Sequence, residues 1–188
     1  MTIELIQGDC IEEMTKMQKE SVNLTVTSPP YDNLRTYEGS LQWHKGIWKQ
    51  VLEGLYRVTK EGGVIVWVVG DATIKGSETG TSFKQALYAM ELGFNLHDTM
   101  IFQKTNPIPQ IYRKRYSNIY EYMFVFSKGK VEIHNPIMID CLHAGLKLKG
   151  STYKNYSKKE QKRGKQAKPV KNQKIKGNIW KYVVGKKA

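Results

Sequence analysis

The sequence predicts an α/β domain built around a mostly parallel β-sheet. Apolar runs of strand length alternate along the chain with segments whose apolar residues recur at helical spacing. Val64–Val69 is a continuous apolar run, which is typical of a strand buried on both faces of a parallel sheet. A length of 188 residues with 40% hydrophobic residues suits one globular body with a substantial core.

The first elements flank a proline pair. Ile3–Ile6 reads as a short strand, and Asp9 is placed to cap a helix that carries Ile11. Asn23–Thr27 is rich in β-branched residues and predicts a second strand. This strand must end at Ser28–Tyr31, because neither proline in that segment has an N–H to donate to a sheet.

The later elements continue the alternation of helix and strand. Apolar residues at helical spacing predict a helix over 47–58, which Gly62 and Gly63 separate from the strand Val64–Val69. A third helix spans Phe83–Leu92 and is closed by Gly93. Two further strands are predicted at Leu96–Phe102 and Tyr120–Phe126.

The positive charge is concentrated in residues 145–188, which carry 15 Lys and Arg and one acid, whereas residues 1–144 have a net charge of −1. We therefore predict a body, 1–144, followed by a basic segment, 145–188, that binds a polyanion, most simply nucleic acid. Lysine outnumbers arginine there, which suits neutralisation of phosphates; a solvated tail is the alternative. The candidate contacts are Lys158, Lys159, Lys162, Arg163 and Lys165.

Other composition features exclude several classes of protein. No stretch approaches the roughly 20 apolar residues that span a bilayer, and the first residues do not resemble a signal peptide. Two cysteines are too few for a disulfide scaffold, and the four histidines lack metal-ligand spacing, so no metal is assigned. We expect a reduced, cytoplasmic protein without a membrane partner.

Ser28–Tyr31 is the segment that carries chemistry. It follows a strand at the carboxyl edge of the sheet, where α/β folds bind ligands. Its prolines leave carbonyls without ladder partners, Ser28 adds a hydroxyl, and Tyr31 adds a ring for stacking. Acceptors outside the plane of a nucleobase can draw its exocyclic amine toward tetrahedral geometry, which frees the nitrogen lone pair. The alternative is a rigid turn without chemistry.

The motifs in order resemble the DNA amino-methyltransferases, which methylate N4 of cytosine or N6 of adenine. The similar segments are Thr27–Tyr31, Gly8–Cys10, Val58–Gly70, Lys104–Pro109 and Tyr120–Lys128. The resemblance implies a Rossmann-like methyltransferase fold and a double-stranded DNA substrate whose base is flipped, as in restriction–modification systems. It implies S-adenosylmethionine as cofactor, with Asp9 and Cys10 near it, and catalysis by Ser28, Pro29, Pro30 and Tyr31.

The resemblance also suggests which base is methylated and which residues contact DNA. Serine at the first motif position favours N4 of cytosine, and N6 of adenine is the alternative. Asp32, Arg35 and Tyr37 lie in a loop that can close over DNA, or in a plain solvated loop. Arg113, Lys114 and Arg115 are candidate phosphate contacts.

One family motif has no counterpart in this sequence. The cofactor-binding glycine motif, roughly Asp-Pro-Phe-x-Gly-Ser-Gly, is expected after the basic segment, and residues 1–188 contain nothing similar. We therefore expect an incomplete sheet that is completed by a second chain carrying that motif or by a homodimer partner. The competing interpretations are an inactive DNA-binding remnant and a general nucleic-acid-binding protein.

Overall fold

The computed structural model describes residues 2–32, 44–107, 114–145 and 171–183. The chain divides into two compact units, one formed by residues 1–134 with 178–188 and the other by residues 135–177. The helices are α1 (Cys10–Lys16), α2 (Lys45–Val58) and α3 (Thr81–Glu91). The strands are β1 (Val22–Thr27), β2 (Thr59–Val69), β3 (Thr73–Ile74), β4 (Ser77–Glu78), β5 (Asn95–Lys104), β6 (Tyr120–Ser127), β7 (Met138–Asp140), β8 (Gln173–Ile175) and β9 (Ile179–Tyr182).

A five-stranded sheet in the order β1-β2-β6-β5-β9 lies at the centre of the first unit. β1 pairs in parallel with β2, and β9 pairs in parallel with β5, whereas β6 runs antiparallel between β2 and β5. The sheet is therefore mixed, although four of its five strands share one direction. One edge of the sheet gathers the carboxyl ends of those four strands and the amino end of β6.

The core lies on one face of this sheet, between the helices and the inward side chains of β2 and β6. Trp67 and Phe126 are fully buried there, and Leu52 of α2 packs into the same cluster. Burying a side chain of this size stabilises the fold by about 1.5–3 kcal/mol. Trp48 of α2 is also buried in this core.

On the opposite face of the sheet, β1 and β2 carry apolar side chains. Leu24 and Val26 share that face with Val64 and Val66 of β2, opposite the side on which Ile65 and Trp67 enter the core. Leu24 is 59% exposed and Val26 is 67% exposed. β1 is an edge strand, and within the described ranges no other strand pairs with its outer side.

Several elements differ from their predictions. Ile3–Ile6 is irregular and its side chains are exposed; none of the described strands pairs with it, so its backbone lacks a ladder. β2 begins at Thr59, directly after α2, and Gly62 adopts a φ of 76° inside it. This left-handed φ suits glycine and lets the strand continue through the predicted turn.

Parts of the predicted basic segment form strands. β9 joins the main sheet beside β5, and β8 pairs antiparallel with β7 in the second unit. The division at residue 144 stays a prediction. Among the described residues, no helix is long and apolar enough to cross a membrane.

Candidate active site

The Ser28–Tyr31 motif lies at the carboxyl edge of the sheet, as predicted. β1 ends at Thr27, after which Ser28 is exposed, Pro29 is buried and Tyr31 is half-buried against the core. Gly70 follows β2 on the same edge, and a Cβ added there would lie 3.4 Å from Cδ2 of the Tyr31 ring. The tyrosine ring therefore rests against bare backbone, which limits its movement.

A chain of polar contacts connects the motif to two neighbouring strands. The hydroxyls of Ser28 and Tyr31 are 2.9 Å apart, and the Tyr31 hydroxyl donates to Oε2 of Glu121 at 2.9 Å. Oε1 of Glu121 is 2.5 Å from Nζ of Lys104 at the end of β5. The side chains of Lys104 and Glu121 are only 26% and 17% exposed, so the pair is partly shielded from water.

Asp32, directly after the motif, fixes the backbone of this loop. Its φ is 46°, and its Oδ2 accepts from the N–H of Ala72 at 3.2 Å and from the Thr79 hydroxyl at 2.7 Å. Asp32 therefore holds the motif against the segment that leads to α3, which the interpretation as a plain solvated loop did not anticipate.

Asp71 caps the beginning of α3. It accepts from the backbone N–H of Ser82 at 2.8 Å and from the Ser82 hydroxyl. Gly80, the residue at the capping position, has no side chain for this task, so Asp71, 11 residues before Ser82, supplies the acceptor.

Asp9 and Cys10 lie at the beginning of α1. Oδ1 of Asp9 accepts from the N–H groups of Ile11 at 2.8 Å and of Glu12 at 3.3 Å, which confirms the predicted cap. Desolvation of the thiol and the adjacent Asp9 carboxylate raise the pKa of Cys10. Cys10 is therefore a neutral thiol at neutral pH rather than an activated nucleophile.

The predicted basic contacts are described only in part. Arg115 pairs with the carboxylate of Glu78 at 3.5 Å and donates to the carbonyl of Gly76, so its guanidinium is anchored to the β3–β4 hairpin. A cleft of about 650 Å³ there is lined by Glu78, Lys114, Arg115 and Tyr116. The remaining candidates lie outside the described residues: Arg35, Tyr37, Arg113, Lys158, Lys159, Lys162, Arg163 and Lys165.

An aromatic ladder runs along β6 beside the motif. Tyr122 stacks on Phe124 at a centroid distance of 5.4 Å and meets the edge of Phe83 from α3. The hydrogen bond with Tyr120, then desolvation, raise the pKa of Tyr122 to about 12, so it remains protonated at neutral pH. This ladder fixes β6 and thereby the position of Glu121.

Sequence reasoning did not select Glu121 and Lys104 as site residues. Both fall in segments that carried the family resemblance, Tyr120–Lys128 and Lys104–Pro109. The signal that could have identified them is a carboxylate and a lysine near the ends of two strands that reach the same edge of the sheet.

A comparison with family models decides the classification. The model for N6/N4-type DNA methylases matches residues 22–187, which includes the motif, the sheet and the basic segment. The chain belongs to the N6/N4 DNA methylase family. The predicted family resemblance is therefore confirmed.

Individual proteins agree with membership of the N6/N4 DNA methylase family. The orphan methyltransferase M.BamHII of Bacillus amyloliquefaciens is 55% identical over 129 residues, which are 68% of this chain and 43% of that protein. The cytosine-N4-specific PvuII DNA methyltransferase matches with a TM-score of 0.56 and 22% identity, over 66% of this chain and 48% of that one.

A third similar protein is the DNA modification methylase TTHA0409 of Thermus thermophilus, in complex with S-adenosyl-L-methionine. It matches with a TM-score of 0.51 and 25% identity, over 69% of this chain and 56% of that one. The structural matches confirm the predicted Rossmann-like α/β methyltransferase fold. The chain spans about half, or less, of the length of these three proteins.

Proposed function

We propose that this chain carries the catalytic motif of a DNA amino-methyltransferase. The reaction transfers a methyl group from S-adenosylmethionine to the exocyclic amine of a flipped base in double-stranded DNA, in a restriction–modification system. N4 of cytosine is favoured over N6 of adenine because Ser28 occupies the first motif position. The observation that carries the proposal is the anchoring of Ser28–Tyr31 at the carboxyl edge of the sheet by Glu121 and Asp32.

The residues of the motif divide the work. The Ser28 hydroxyl and the Pro29 carbonyl accept the two amine hydrogens, which localises the lone pair on the nitrogen. Tyr31 stacks on the extruded base, worth about 1–3 kcal/mol by analogy with other base–aromatic contacts, and Pro30 keeps the segment rigid. The cofactor supplies a methyl group bonded to a positively charged sulfur. The nitrogen gains that methyl and loses one proton to solvent, so that charge balances.

Asp9 and Cys10 suit a role in cofactor binding. Oδ2 of Asp9 has no hydrogen-bond partner within the described part of the chain, whereas Oδ1 is occupied by the cap. A carboxylate oxygen of this kind accepts hydrogen bonds from ribose hydroxyls. The neutral Cys10 thiol adds a small apolar neighbour and takes no part in the chemistry, because amine methylation needs no thiol nucleophile.

The DNA contacts come from two parts of the protein. Lys114 and Arg115 border the cleft beside the hairpin, and Arg113, Arg35 and Tyr37 are proposed as further DNA contacts. Residues 145–188 act as the recognition segment, with its lysines on phosphates. The site of action is the cytoplasm, where such DNA lies.

The outer edge of β1 implies a partner for the sheet. Leu24 and Val26 are largely exposed beside a strand edge that the described residues leave unpaired. Such an edge pairs readily with another strand. We propose that a second chain supplying the glycine motif, or a second copy of this chain, pairs with it.

Methylation of bulk DNA tests the proposed function without knowledge of the target sequence. The protein is incubated with labelled S-adenosylmethionine and unmethylated genomic DNA, and the hydrolysed nucleosides are separated by mass spectrometry. We expect label in N4-methylcytosine and, for Ser28→Ala, a rate lowered about 100-fold.

Ser21→Ala is the matched control, since the hydroxyl of this serine donates to the carbonyl of Gln18 in a turn before β1, and it should retain the wild-type rate. Label in N6-methyladenine would select the alternative base. DNA binding without any methylated nucleoside, together with no cofactor binding by calorimetry, would support the inactive remnant.

A further inference from the structure

We infer that Glu121 is a positioning residue that sets the direction of the Ser28 hydroxyl and thereby makes Ser28 a hydrogen-bond acceptor for the target amine. This inference rests on the proposed function, in which Ser28 faces the base. It follows from the three contacts that join Ser28, Tyr31, Glu121 and Lys104.

The donor in each contact is fixed by the chemistry of its partner. An ionised carboxylate only accepts, so the single hydroxyl proton of Tyr31 points to Oε2 of Glu121. Tyr31 then has no proton left for Ser28, and at their separation of 2.9 Å Ser28 must donate. The Ser28 proton is therefore turned inward, and the lone pairs of its oxygen face the exposed side of the motif.

Lys104 assigns the two oxygens of Glu121 to different partners. Nζ is 2.5 Å from Oε1, whereas Tyr31 contacts Oε2. An ammonium group only donates, so whatever occupies the Oε1 position must accept. With the Oε1 position restricted to an acceptor, the group at the Oε2 position decides whether Tyr31 donates to residue 121 or accepts from it. The direction of the remaining hydrogen bonds, from Tyr31 to Ser28, follows from that choice.

This polarity selects among bases. Cytosine and adenine carry an amine where thymine and hypoxanthine carry a carbonyl. An oxygen that presents lone pairs matches the N–H of an amine and repels a carbonyl oxygen. A buried mismatch of acceptor with acceptor leaves both groups without a partner, which is how polar sites reject close analogues.

Glu121→Gln is expected to reverse the chain while preserving its shape. The amide oxygen must face Lys104, so the NH₂ group takes the Oε2 position and donates to the Tyr31 oxygen. Tyr31 then donates to Ser28, and the Ser28 proton turns outward against the amine. Glu121→Ala removes the carboxylate without imposing a reversed direction.

The order of the two variants is the test. We expect Glu121→Gln to lower the single-turnover methylation rate about 100-fold and Glu121→Ala about 10-fold, with DNA affinity within about twofold of wild type. A merely structural role predicts the opposite order, because glutamine has the same shape as glutamate. In a Tyr31→Phe background, Glu121→Gln should have no further effect, since the relay is already broken.

Glu53→Gln is the matched control. Glu53 also accepts from a tyrosine hydroxyl, that of Tyr88, but this pair joins α2 and α3 away from the motif. The control should keep the wild-type methylation rate. A Glu121→Gln variant that is as active as wild type, or more active than Glu121→Ala, would overturn the inference.

A spectroscopic readout separates this inference from the proposed function. The tyrosine doublet in the Raman spectrum distinguishes a phenol that donates strongly to a carboxylate from one that donates to a neutral hydroxyl and accepts from an amide, and subtracting the Tyr31→Phe spectrum isolates Tyr31. We expect strong donation in the wild type and weakened donation in Glu121→Gln. If no variant methylates DNA, the proposed function fails; an unchanged Tyr31 signal in Glu121→Gln rejects the relay in either case.

Discussion

At the scale of single residues, Lys128 illustrates how a charge is accommodated in the interior. Its side chain is 9% exposed, and Nζ donates to the carbonyls of Tyr56 at 3.0 Å and Thr59 at 3.1 Å. Nζ also contacts Oε1 of Glu20 at 3.2 Å and lies over the ring of Tyr56. One ammonium group thereby joins the end of β6 to the junction of α2 and β2, because its three donors find three acceptors.

Glu20 should make stability depend on pH in acid. The hydrogen bond and charge of Lys128 lower the pKa of Glu20 from its ordinary value of 4.5. A lowered folded-state pKa adds stability above the unfolded-state pKa, and that stability is lost as the pH falls through the folded-state pKa. We expect Glu20→Gln to lower the melting temperature slightly at pH 7.

The difference between Glu20→Gln and wild type should disappear as the pH is lowered below about 4. Thermal unfolding followed by circular dichroism from pH 7 to pH 3 checks it. Glu132→Gln is a control, because none of the ion pairs among the described residues involves Glu132. A difference that persists unchanged at pH 3 would contradict this origin.

At the scale of elements, β1 both carries the motif and forms an exposed edge of the sheet. It must present Ser28–Tyr31 at its carboxyl end, and it also forms an edge of the sheet with two exposed apolar side chains, Leu24 and Val26. Edge strands of this kind are templates for pairing unless they are covered or charged. β1 contains no lysine or proline that would discourage pairing.

Charges on β1 should therefore suppress association. We expect the sedimentation coefficient of the wild-type chain to rise with concentration through pairing at β1, and the double variant Leu24→Lys, Val26→Lys to remain monomeric. Ile74→Lys is the matched control, since Ile74 is also exposed but lies in the separate β3–β4 hairpin. Equal association by wild type and the double variant would exclude β1 as the contact.

At the scale of the whole molecule, the positive charge is concentrated in a segment that the fold joins to the neutral body. Residues 1–144 are nearly neutral and residues 145–188 carry a net charge of +14, yet β9 from the basic part lies in the main sheet beside β5. Through β9, the sheet thus anchors part of the basic segment to the unit that holds the Ser28–Tyr31 motif. Phosphate contacts made by that segment would add to affinity without specifying a sequence.

The salt dependence of DNA binding should report those contacts. We expect replacement of Lys158, Lys159, Lys162, Arg163 and Lys165 by Gln to flatten the slope of log affinity against log salt. Each lost phosphate contact contributes about 0.9 to that slope. Fluorescence anisotropy with one duplex at several salt concentrations measures it.

The control for the salt experiment removes the same charge from the body: Lys16, Lys19, Lys45, Lys60 and Lys130 to Gln. Its slope should stay close to that of the wild type. If both sets flatten the slope equally, binding follows net charge rather than the proposed segment.

Local patterns in the sequence were sufficient for α1, β1, the centre of β2 and the motif. The proline pair ends β1 at Ser28, Asp9 caps α1, and the apolar run at Val64–Val69 forms the centre of β2. Each depends on backbone chemistry or periodicity within a few residues, so the sequence by itself determined the α/β class, the family and the place of the Ser28–Tyr31 motif.

Only the tertiary structure decided which distant groups meet. Glu121 lies 90 residues from Tyr31 and reaches it because β6 runs antiparallel beside β2. Ile3–Ile6 has the composition of a strand but no described strand beside it, and β9 pairs with β5 across a long separation in sequence. Pairing depends on the partners that the fold brings into reach, and no periodicity within one segment specifies them.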